Sequence, residues 1–133
     1  MAYDMYQERV LEHYRKPRNF GHLDHATTHA TEANPLCGDN ITVEILLSAD
    51  KDTIEDLRFS GEGCAISVAS ASMLTLAMKG KSVKEVANFS QKDIEKMVGV
   101  PLSPVRLKCA LTSLAALNHA VDASRGEGSG KSA

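Results

Sequence analysis

Four side chains in this 133-residue chain have types suited to metal or sulfur chemistry: Cys37, Cys64 and Cys109, with Asp39 two places beyond the first. Cys37 lies in Asn34-Pro35-Leu36-Cys37-Gly38-Asp39, where Pro and Gly punctuate a loop. One flexible residue separates its thiol from the carboxylate, so both side chains could reach one cation. An Asp beside Gly is also a common turn residue or strand cap. Cys64 follows Gly61-Glu62-Gly63 and opens an uncharged run, which places its sulfur at a helix start, near unpaired N–H groups and the positive end of the dipole. Such a position lowers a thiol pKa from its usual value of about 8.5 and favours thiolate. The plainer alternative is packing against a sheet. Cys109 can be placed by angle: at about 100° per residue it points nearly opposite Leu107, Leu111, Leu114, Leu117 and Val121, and shares its side with Thr112, Ser113 and Ala116. It is therefore expected off the core, with Arg106 and Lys108 adding positive charge nearby. Three thiols and a carboxylate form a four-ligand set of the kind tetrahedral zinc accepts, and thiolates also suit iron–sulfur chemistry. No C-x-x-C pair occurs, so a zinc finger is not indicated. His22, His25 and His29 fall in a polar, Thr-rich stretch and are left out of the set, while His13 and His119 read as helix-surface residues.

These side chains have to be positioned by a small number of elements. Tyr3, Tyr6, Val10, Leu11 and Tyr14 recur at helical spacing until Pro17, giving an N-terminal helix followed by a turn at residues 18–21. Residues 22–35 read as a loop with room for one short edge strand. Ile41, Val43, Ile45 and Leu47 alternate as in a half-buried strand, residues 49–52 supply a turn, and Ile54 to Phe59 should return antiparallel. Cys64 to Met78 reads as a helix closed by Gly80, its Ala and Ser residues permitting close packing on the sheet. Ser82-Val83-Lys84-Glu85 and Ser90-Gln91-Lys92-Asp93 are N-terminal signals of two short helices between residues 84 and 98. A final helix follows Pro104. The fold class is α+β: a small antiparallel sheet of about three strands covered by helices, with N-terminal and C-terminal helices. One domain is expected over residues 1–122, with a disordered tail over 123–133.

Composition narrows the function. With 15 basic and 17 acidic residues the net charge is -2, so no basic field exists for nucleic acid or an anionic membrane. The longest uncharged run, Ala65 to Met78, falls short of the roughly 20 apolar residues that span a bilayer. The first eight residues do not form a secretory leader, so a cytoplasmic location is expected. Three widely spaced cysteines there are unlikely material for a disulfide framework and point to packing, metal or sulfur chemistry.

Four segments carry a family resemblance. Residues 12–21, Glu12 to Gly21, are similar to the first-helix signature of the U-type iron–sulfur cluster assembly proteins, which comprise the IscU and SufU branches and the NifU N-terminal-like proteins. Residues 34–39 resemble the first cysteine loop of that family, residues 59–75 its second cysteine segment, and Arg106-Leu107-Lys108-Cys109-Ala110 its third. The resemblance implies that Cys37, Asp39, Cys64 and Cys109 hold zinc in a resting form. It also implies that the cysteines accept persulfide sulfur from a cysteine desulfurase and hold or relay it while iron and sulfur form a transient [2Fe-2S] cluster. Cys109 would be the sulfur acceptor in the scaffold branch, and Cys37 the residue released in the zinc-dependent relay branch. Arg106 would help displace or orient ligands, and Asp39 would tune lability by exchanging its oxygen. Lys108 stands where the scaffold branch has histidine, as in the relay branch, whereas the 44 residues between Cys64 and Cys109 match the shorter scaffold form. Residues 102–106 imperfectly resemble a motif read by an Hsp70-type chaperone, which with apo-protein recipients completes the implied partners.

The role expected is a scaffold or sulfur acceptor rather than an enzyme in the strict sense. A structural zinc module mediating protein contacts is the alternative; its site should be closed and required for folding. A thiol hydrolase would need a base, usually His, beside its nucleophile, and no histidine adjoins any cysteine in sequence.

Overall fold

The structure, a computed structural model, describes residues 2–35 and 38–124, with side chains from residue 7 onward. The element order is α1 (Ala2–Arg15), β1 (Thr28–Asn34), β2 (Asp39–Leu47), β3 (Ile54–Glu62), α2 (Ala65–Met78), α3 (Val83–Ala87), α4 (Gln91–Val98) and α5 (Pro104–Ser124). The three strands form one antiparallel sheet in the order β1-β2-β3. This is the α+β architecture expected. The last helix continues through Ser124, two residues past the boundary expected for the tail; the rest of that segment lies outside the described residues.

The strand at Thr28–Asn34 is longer than the short edge element anticipated, and its residues explain why. Thr-His-Ala-Thr-Glu-Ala-Asn has no apolar alternation, and only Ala30 packs on the core. Its inward side is instead satisfied by α5: Thr28 Oγ1 donates to the Ala120 carbonyl at 2.9 Å, and His119 pairs with Glu32 at 3.1 Å. Strand β2 alternates as read, burying Asp39, Ile41, Val43, Ile45 and Leu47 on one face.

Helix α5 lies on β1 and β2, while α2 packs on β3 and, more extensively, between α1 and α5. The small residues of α2 thus serve packing on the sheet, as expected, and also its enclosure by other helices, with Ser67 through Thr75 all buried. The enclosure also explains His13, read from sequence as a surface residue. It is 8% exposed, and its Nδ1 sits 2.7 Å from Ser72 Oγ on α2. The Arg18 N–H also donates to that oxygen at 2.8 Å, and which of His13 Nδ1 and the Ser72 hydroxyl donates to the other is set by the imidazole tautomer. One serine thus ties α1, the turn after it and α2 together.

Candidate metal centre

At one end of the sheet, Asn34 and Asp39 are cross-strand partners, so residues 35–38 are the whole connection between β1 and β2. Asp39 follows the inward parity of Ile41 and Val43, which turns its carboxylate to the interior; it is 2% exposed. Strand β3 ends alongside, Gly61 opposite Ile41 and Glu62 opposite Asn40. A Cβ on Gly61 would lie 1.9 Å from the Asn40 carbonyl oxygen, and the residue's φ is +113°, so only glycine lets the strands close up here. The next two residues deliver Cys64 beside Asp39.

Cys64 is the N-cap of α2 but makes no side-chain cap bond of its own. Asp39 supplies that bond from the neighbouring strand: its Oδ1 accepts from the Cys64 N–H at 3.1 Å and from Ser67 Oγ at 2.9 Å. A helix start with free N–H groups is satisfied by a carboxylate there, which also complements the dipole. Gly63 keeps the contact possible, because a Cβ there would stand 2.2 Å from Ser67 Oγ and 2.5 Å from Asp39 Oδ1. The third sulfur comes from the second turn of α5. Ligand atoms of Asp39, Cys64 and Cys109 all lie within 4.8 Å of one another. Asn34 Nδ2 reaches Asp39 Oδ2 at 3.4 Å and Cys109 Sγ at 3.9 Å, joining two of the three.

Three of the four residues expected as ligands therefore meet, from β2, the cap of α2 and α5. Cys37, the fourth, lies outside the described residues. Arg106 is exposed on the first turn of α5, its N–H donating to Ser103 Oγ at 3.2 Å. Lys108 is also exposed, on the rim of a hollow of about 210 Å³ that Glu32, Asn34 and Thr112 share.

One expectation about the cysteines is corrected. Cys109 was placed off the core by its angle to the leucine stripe, yet it is 0% exposed, with Thr112, Ser113 and Ala116 on the same side also buried. The stripe marks only part of what is buried: α5 is covered by the sheet and by α2, and small residues are buried with Cys109 outside the stripe. Cys64 is a free thiol. Ser67, Asn34 and Gly63 drew no attention as site residues. The signal for Ser67 was its place three residues after the cap, where a hydroxyl can face whatever caps the helix.

The donor chemistry fits a thiophilic metal. A buried carboxylate with soft sulfur ligands is a set that zinc and iron–sulfur clusters accept, and the half-buried Cys64 leaves one side open.

A small α+β domain that gathers carboxylate and thiol groups from three separate elements, with no finger motif, offers a candidate thiolate metal site. The chain is a member of the NifU-like N-terminal domain family, whose profile matches residues 5–128. It is 38% identical over 134 residues to the zinc-dependent sulfurtransferase SufU of Bacillus subtilis, covering 88% of this chain and 89% of that protein. It is also 38% identical over 117 residues to the iron–sulfur cluster assembly scaffold protein IscU of Aquifex aeolicus, covering 87% and 73%. Among solved structures, one described as an iron–sulfur cluster assembly scaffold candidate of the SUF system from Fervidobacterium islandicum superposes with a TM-score of 0.72 at 26% identity, covering 90% of this chain and 98% of that one.

Proposed function

We propose that this chain is an iron–sulfur cluster assembly protein that accepts persulfide sulfur from a cysteine desulfurase and scaffolds or relays it for [2Fe-2S] formation. The observation that carries the reading is the meeting of Asp39, Cys64 and Cys109 from three elements. Cys37, two residues before Asp39, completes the proposed ligand set. Zinc, where bound, would be held by these four residues and would keep their sulfurs deprotonated yet shielded. Iron and sulfide are cargo.

The chain's own groups define the rest of the proposal. Cys64, half-buried at the helix cap, gives incoming sulfur an approach, whereas Cys109 sits behind it. A thiolate attacks the outer sulfur of the donor persulfide; the donor cysteine leaves as thiolate, and the persulfide passes to this chain. Cys37 and Cys109 are the proposed acceptors, and Arg106, exposed one turn before Cys109, is proposed to guide the anionic groups during ligand exchange. Equal identity to SufU and IscU relatives leaves both branches represented, and Lys108 favours the relay form. A closed structural zinc site fits less well, since Cys64 is half-buried rather than enclosed. Residues 1–122 are proposed to act as one domain, in the cytoplasm, with a chaperone and apo-proteins as later partners. No helix among the described residues is long and apolar enough to cross a membrane.

The test is anaerobic incubation of the reduced protein with ferrous iron, cysteine and a desulfurase, with and without zinc. A visible-absorbing cluster or stimulated desulfurase turnover is expected. A folded protein giving neither refutes the function, and stimulation only with zinc assigns it to the relay branch.

A further inference from the structure

The Ser67 hydroxyl has one hydrogen and two acceptors at equal reach. Asp39 Oδ1 lies at 2.9 Å and the Cys64 carbonyl oxygen at 2.9 Å. The side chain is 0% exposed, so water does not compete for that hydrogen. Oδ1 also accepts the Cys64 N–H, so when the hydroxyl points at it both lone pairs of that oxygen are used. Only Oδ2, touched by Asn34 at a long 3.4 Å, is then left for a metal. When the hydroxyl turns to the Cys64 carbonyl, Oδ1 regains a lone pair. The switch needs rotation about one bond and no movement of a heavy atom.

We propose that Ser67 is a positioning residue that governs how Asp39 binds and leaves the metal, by holding Oδ1 on the cap of α2 and releasing it through this rotation. Pinned at Oδ1, Asp39 presents Oδ2 to the metal in a fixed orientation; when the hydroxyl turns away, the carboxylate is held by the Cys64 N–H alone and detaches more readily, so the exchange position opens without backbone motion. Gly63 is part of the device: a methyl group there would fall on both the hydroxyl and Oδ1. The inference rests on the metal-site reading above.

The experiment measures zinc release from the reduced protein to a colorimetric chelator by stopped flow, and the visible spectrum of the cobalt(II)-substituted protein. Ser67→Ala is expected to release zinc about tenfold faster than the parent and to shift the cobalt d–d bands, as loss of an outer-sphere partner of a ligand does. In an Asp39→Ala background the same substitution should change the rate by less than about twofold, because nothing remains for it to position. Gly63→Ala, which keeps the hydroxyl but crowds it, should also accelerate release; it stands in if Ser67→Ala does not fold. An unchanged or slower rate, or equal effects in both backgrounds, overturns the proposal. Failure of the parent protein to bind zinc or cobalt refutes the metal site itself.

Discussion

Replacing Asp39 separates its duty as a helix cap from its charge, and the two substitutions to compare are Asp39→Ala and Asp39→Asn in reduced, chelator-treated protein. In the parent, Oδ1 takes the Cys64 N–H at 3.1 Å and the Ser67 hydroxyl at 2.9 Å. Alanine removes both bonds, but the losses differ. The Ser67 hydroxyl turns to the Cys64 carbonyl, already 2.9 Å away, and is not orphaned. The Cys64 N–H loses its partner at a half-buried helix start, and loss of such a cap costs about 0.5–2 kcal/mol. Removing a carboxylate from a site that is 2% exposed returns part of that cost, because its charge is no longer desolvated. The net expectation for alanine is a loss of about 1 kcal/mol, a few degrees in Tm for a domain of this size. Asparagine keeps an amide oxygen in place of Oδ1, and its loss should stay below about 0.5 kcal/mol. Denaturant titration with matched m-values measures both. Equal losses in the two variants would show that the charge, not the cap, is what matters, and no loss in alanine would refute the capping argument.

Three further outcomes follow from the packing. His13 is held below its ordinary value near 6.5 by burial first, then by Arg18 and Arg9, with Glu12 opposing weakly. Its neutral form is therefore favoured by folding: the contribution is complete above pH 6.5 and is lost as pH falls from there through the lower folded value. His13→Gln should flatten the stability profile between pH 7.5 and 5, and an unchanged slope contradicts the buried tautomer. Gly61→Ala should cost more than about 2 kcal/mol, since the methyl group meets the Asn40 carbonyl and the φ is unfavourable for alanine; a near-neutral denaturation midpoint would mean that β2 and β3 can separate. Ser70→Ala removes a buried hydroxyl that has no hydrogen-bond partner among the described residues, and should leave stability unchanged or raise it by up to about 1 kcal/mol, as read by thermal melting.

What could be read from the chain depended on whether one residue's surroundings were local. The alternation of Ile41, Val43, Ile45 and Leu47, the Ser90–Asp93 capping box and the stop at Gly99 are each written within a few residues, and the elements they announce are present. The strand at Thr28–Asn34 was barely legible because its partner is α5, which covers polar side chains that alternation does not register. The same helix defeated the angular argument for Cys109. A single apolar stripe predicts one buried face, and small residues such as Ala116 and Ser113 are buried outside it without any apolar signal. Asp39 was chosen as a ligand from its spacing to Cys37, yet its grip on Cys64 and Ser67 spans 25 and 28 residues and left no local mark.

Those separations bear on when the site can exist. Asp39 and Cys64 stand 25 residues apart, and Asn34 reaches Cys109 across 75. Cys109 belongs to α5, which follows every other element described, so the proposed ligand set cannot assemble until that helix has been made. A chain shorter than that presents scattered cysteines with little power to trap a cation. Capture of a metal by the proposed site is thereby tied to folding rather than to local sequence.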